Sequence, residues 1–63
     1  MSEDNEHTKT LVQVREALVR RRRAVAASLL KDPDRFEEFV GVQNAINSLE
    51  EAIKQERSRA AKP

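Results

Sequence analysis

Leu29-Leu30-Lys31-Asp32-Pro33-Asp34-Arg35-Phe36 is the stretch that decides the fold of this chain. A residue before proline is biased away from helical dihedrals, so Asp32 breaks any helix that reaches it. Its carboxylate is placed to cap whatever follows, and Pro33 suits the first helical position, where its missing N–H costs nothing. Asp34, Glu37 and Glu38 then sit near the positive end of a helix dipole, and Lys31 sits at the negative end of the helix before it. The segment therefore reads as a stop followed by a restart. A connection this short makes the two helices antiparallel neighbours. The competing arrangement is one long helix kinked at Pro33. The sequence predicts a first helix over about 8–31, a turn at about 32–33 and a second helix over about 33–57. Residues 1–7 read as a disordered N-terminal tail and 58–63 as a frayed C-terminal tail. Thr10 with Gln13 resembles a capping box, with Thr8 and Asn5 as competing caps, so the first boundary is open.

Outward from the turn, apolar residues recur at helical spacing, each residue advancing about 100°. In the second helix Phe39, Val42, Ile46, Leu49 and Ile53 form one stripe with the three-four alternation of a coiled-coil seam. Phe36 and Val40 flank it near the turn, and Ala45 and Ala52 widen the other side. The first helix carries two seams, one of Leu11, Val14, Leu18, Val25 and Leu29, the other of Val12, Val19, Ala26 and Leu30. Such an arc exceeds what one neighbouring helix covers. The expected fold is all-α, an antiparallel two-helix hairpin that dimerises into a four-helix bundle, with an oligomer interface at Leu11, Val12, Leu18, Val19, Val25, Ala26 and Leu30. The alternative leaves the small apolar residues of the second seam exposed, as monomers often do. With the turn as pivot, residues whose numbers sum to about 65 lie side by side. That register brings Leu29 to Phe36, Leu18 to Ile46 and Asn47, Lys9 to Glu56 and Arg15 to Glu50. It also sets Ala24 against Gly41, where two small residues would allow close approach.

The chain has 63 residues, and domains of this size usually need a staple. It has no Cys, and His7 is its single His, so neither disulfides nor a structural zinc site is expected. Well-idealised helix packing or oligomerisation remains, and oligomerisation fits the two-seam pattern. Net charge is only +1, but the charge is divided between the helices. Lys9 to Lys31 holds seven basic residues and one acid, Glu16, for +6, while Asp32 to Glu56 holds seven acids and two basics, for −5. The two segments complement one another and disfavour like-with-like pairing. The start Met1–Glu6 is polar and acidic, unlike a secretory leader, and the apolar run Ala24–Leu30 is too short to span a bilayer. The expectation is a soluble, cytoplasmic protein with no membrane partner.

Arg20-Arg21-Arg22-Arg23 is the most conspicuous motif. A nucleic-acid interface would need these groups on one face, yet four successive residues circle the helix. Only Arg20 and Arg23 point outward, joined by Lys9 and Lys31 and interrupted by Glu16, with no aromatic side chain for base stacking. Arg15 and Arg22 fall between the two apolar seams, where their stems can be buried and their head groups need partners. Glu50 suits Arg15, and Gln43 and Asn47 are nearest to Arg22, giving an expected buried polar layer. His7 lies in the tail, Glu37-Glu38 and Glu50-Glu51 point in different directions, and Ser28 and Thr10 have no base beside them. No catalytic, cofactor or metal site is expected. The sequence predicts a non-enzymatic, self-associating helical interaction module, alone or as an accessory subunit of a larger protein assembly. RNA or DNA binding through Lys9, Arg20, Arg23 and Lys31 is the alternative, and a membrane-surface hairpin is disfavoured by the acidic second helix and the absence of Trp.

Overall fold

The computed structural model describes residues 5–61, and within them the chain is two helices and a turn, without a strand. Helix α1 runs Glu6–Leu29, a single 3-10 turn spans Pro33–Arg35, and helix α2 runs Phe36–Ala61. Laid end to end, helices of 24 and 26 residues would reach about 75 Å at 1.5 Å per residue. The molecule measures 51 × 16 × 13 Å, so the helices lie side by side. They are antiparallel, with Arg22 of α1 bonded to Gln43 of α2, a pair whose numbers sum to 65.

The turn is built as its residue types dictate. Asp32 is non-helical at φ −140°, ψ 83°, in keeping with the bias against helical dihedrals before a proline. Its Oδ1 accepts from the Asp34 N–H at 3.2 Å, and Pro33 holds the first helical position. The last carbonyls of α1 are not orphaned, because Ser28 O accepts from the N–H groups of Lys31 at 3.1 Å and Asp32 at 2.8 Å. The connection uses no glycine, and no described residue has a positive φ.

At the other end the structure sets the boundary earlier than Thr8 or Thr10. Asn5 is the N-cap, its side chain accepting from Thr8 N–H at 2.8 Å, and Glu6 already lies in the first turn. His7 is therefore helical and exposed. Asn is among the strongest N-caps, and here its bond reaches the third helical N–H. The distal half of α2 also continues past residue 57, to Ala61. The rest of the expected tails, residues 1–4 and 62–63, lies outside the described residues.

The seam between the helices is regular. On α1 the row follows a three-four alternation of buried and half-buried residues, Thr8, Leu11, Arg15, Leu18, Arg22, Val25 and Leu29. On α2 the row is Phe39, Val42, Ile46, Leu49, Ile53 and Glu56. Val25, Ile46, Ile53 and Thr8 are almost wholly enclosed, at 2–3 % exposure. Val14, assigned from the sequence to this seam, is 42 % exposed and lies beside it. Arg15 and Arg22 occupy the seam instead, because the aliphatic stem of an arginine covers apolar neighbours while its head reaches the edge.

The expected close approach at Ala24 and Gly41 does not occur. Both residues are exposed, and a Cβ built on Gly41 meets nothing within 4 Å. Gly41 thus leaves α2 with the backbone entropy cost of glycine and no packing gain. Gly41→Ala should raise stability by about 1 kcal/mol. In a thermal melt this corresponds to a Tm increase of about 4–8 °C for a domain near this size. A lowered Tm would show that a side chain at this position is obstructed.

Candidate interaction surface

Two cross-helix contacts identify the two flanks of the seam. On one flank Arg22 Nη1 donates to Gln43 Oε1 at 2.9 Å, and Gln43 Nε2 donates to Asn47 Oδ1 at 3.0 Å. On the opposite flank Arg21 of α1 is paired with Glu38, which also accepts from Arg35 Nε at 3.1 Å and Nη2 at 2.7 Å. Helical geometry then sorts the remaining residues. Val12, Val19, Ala26 and Leu30 follow the Arg22 flank of α1, and Phe36, Val40, Gln43 and Asn47 follow the same flank of α2.

This sorting divides the interface expected from the sequence. Leu11, Leu18 and Val25 belong to the seam and are covered by α2 of the same chain, with Val25 at 2 % exposure. Val12 and Val19 are half-buried on the flank, while Ala26 is exposed. Leu30 is 91 % exposed, Phe36 57 % and Val40 38 %. Leu30 and Phe36 bracket the turn, and Ala26 and Val40 lie one turn further along their helices, so these four form an apolar patch at the turn end. The rings of Phe36 and Phe39 stack with centroids 6.1 Å apart, linking the patch to the core.

The polar layer is assembled only in part. Arg22, Gln43 and Asn47 form a bonded chain, with Arg22 and Gln43 half-buried and Asn47 exposed. Arg15 is half-buried but lies 3.6 Å from Glu16, its neighbour in α1, and Glu50 stays exposed. The guanidinium meets the carboxylate of its own helix at the edge of the seam, and the cross-helix pairing to Glu50 is not made. Replacing Arg22 separates its two contributions. Arg22→Met keeps the stem and loses the bond to Gln43, so it should cost about 1 kcal/mol in urea unfolding. Arg22→Ala also uncovers part of Leu18 and Val25 and should cost about 1 kcal/mol more. Equal losses would show that the stem contributes nothing.

Sequence reasoning missed the Arg21–Glu38–Arg35 cluster. Arg21 was passed over as one member of a basic run, and Glu38 as one of two adjacent acids. The register gives no signal for it, since it sets Arg21 level with Asn44, and the pair forms because the long arginine side chain reaches toward the turn to Glu38. Hydrogen bonds from Arg35 and then Arg21 hold the Glu38 carboxyl below its ordinary value. A depressed carboxylate stabilises the fold at pH values above its unfolded pKa, and that contribution disappears as pH falls through the folded one. Stability should therefore decline on acidification below the ordinary glutamate range, and Glu38→Gln should reduce the size of that decline in melts recorded from pH 7 downward.

Lys9, Arg20, Arg23 and Lys31 are all exposed and, among the described residues, none contacts a carboxylate. The described residues contain no cavity and no group of three or more His, Cys, Asp or Glu able to hold a metal. No helix among them is long and apolar enough to cross a membrane. No known protein family, curated protein or solved structure matches this chain.

Proposed function

We propose that this chain is a non-enzymatic interaction module whose hairpin completes its core by self-association, forming a dimeric four-helix bundle. One observation carries the reading. A compact monomer of this mass exposes about 4,100 Å². This chain exposes 4931 Å². The excess, about 800 Å², is the area that each partner buries in a standard-size protein interface. The apolar patch at Leu30, Phe36 and Val40 marks where that surface is least suited to water. The lone hairpin also buries only about 53 % of the area its unfolded chain would expose, against about 60 % for a typical domain of sixty residues. A second copy closes that gap without any staple.

Sedimentation equilibrium at micromolar concentration should give about twice the 7.2 kDa chain mass. Leu30→Lys and Val40→Lys should shift that mass toward the single chain while each hairpin keeps its helical circular dichroism. Leu30 is 91 % exposed in one copy, so losing it has no effect on the hairpin's own packing. A single-chain mass for the unaltered protein at these concentrations would refute the proposal.

A second reading rests on the four outward cations of α1. Lys9, Arg20, Arg23 and Lys31 leave room for a phosphate backbone. If they bind one, a mobility shift on duplex RNA or DNA should weaken steeply between low and high salt.

A further inference from the structure

We infer that the two hairpins of the dimer associate with their turns at the same end, so that α1 of each copy lies over α2 of the other and the two-fold axis runs along the bundle. The inference rests on the self-association proposed above and specifies its geometry.

Two hairpins stacked through one flank have two symmetric arrangements. With the axis along the helices, α1 covers the partner's α2 and both turns coincide. With the axis across the helices, α1 covers the partner's α1 and the turns lie at opposite ends. The flank that bears Val12, Val19 and Leu30 is not uniform along its length, and this asymmetry distinguishes the two. Its turn end holds Leu30, Phe36, Val40 and Ala26, all exposed. Its middle holds the Arg22–Gln43–Asn47 chain. Its distal end has the exposed Glu50 and Lys54 on α2, at the levels of the exposed Glu16 and half-buried Val12 on α1.

When the turns coincide, Leu30 meets the level of the partner's Phe36, Ala26 that of the partner's Val40, and the bonded polar chains meet at mid-length. When the turns are opposed about a centre near Val19 and Arg20, Leu30 is set against the partner's Lys9, and Phe36 comes to the level of the partner's Lys54. That arrangement has a compensation, since Arg23 then faces the partner's Glu16, whereas with the turns together Glu16 meets the level of the partner's Glu50. All of these charged residues are exposed. Each such rim pair changes an association constant by about two-fold. Each Leu or Phe newly removed from water changes it by about ten-fold or more. The apolar patch therefore decides, and it is satisfied only by its own copy.

The chain has no Cys, so a single introduced thiol is a clean label site. Lys31→Cys and Asp34→Cys, labelled separately with a nitroxide, place the probe at the turn on residues that are exposed in the hairpin. Pulsed dipolar spectroscopy should give an inter-copy distance of about 15–25 Å when packed helices neighbour one another at the turn. A distance of about 40 Å or more, one helix length, together with a dimer mass, would overturn the shared-end arrangement and leave self-association standing. A single-chain mass for the labelled and unlabelled protein would overturn the self-association reading itself.

Discussion

Two helices side by side have one line of contact, and that geometric limit governs this molecule. A pair of cylinders removes a single stripe of each from water, whatever the sequence along them. Here the stripe encloses Thr8, Val25, Ile46 and Ile53 almost completely and leaves the flanking apolar residues half covered or open. The described residues hold no sheet to lay the helices on, and the chain, without Cys, has no disulfide to constrain the unfolded state. The distribution of apolar residues around α1 is therefore the main determinant of what the protein can do.

The architecture was largely legible in the residue order. Asp32 and Pro33 set the break between helices, and the structure realises it through the expected cap and first-turn proline. The register followed from the pivot, as the Arg22–Gln43 bond shows. Arg15 and Arg22 were legible as residues with coverable stems, because an arginine stem is apolar and its charge is at the far end. The difference is that they lie within the seam of α1 facing α2, and that Arg15 meets Glu16 and not Glu50. The N-terminus of α1 was ambiguous because Asn5, Thr8 and Thr10 are all competent caps, and choosing among them depends on where α2 supplies packing. Thr8 is enclosed by that packing at 2 % exposure.

The surface chemistry was less legible. The run Arg20–Arg23 looks uniform as text but is divided by the helix into three environments. Arg22 lies in the seam, Arg21 is tied to Glu38, and Arg20 and Arg23 face outward. Charge density in a sequence thus overstates charge density on a face. The same rotation explains why the expected interface at Leu11, Val12, Leu18, Val19, Val25, Ala26 and Leu30 separates into covered and open members. Two seams about 100° apart on one helix are not interchangeable, and only the position of α2 reveals which is occupied.

The turn also bears on the exchange of helices between chains. Small hairpins that dimerise can trade a helix between copies by opening into one rod, provided the hinge can become helical. In this chain Asp32 is non-helical ahead of the ring of Pro33, and a continuous helix through that point would forfeit a backbone bond and clash with the preceding turn, at about 3 kcal/mol or more. The corner thus resists straightening: opening the hairpin into a single rod would have to overcome that cost at Asp32 and Pro33.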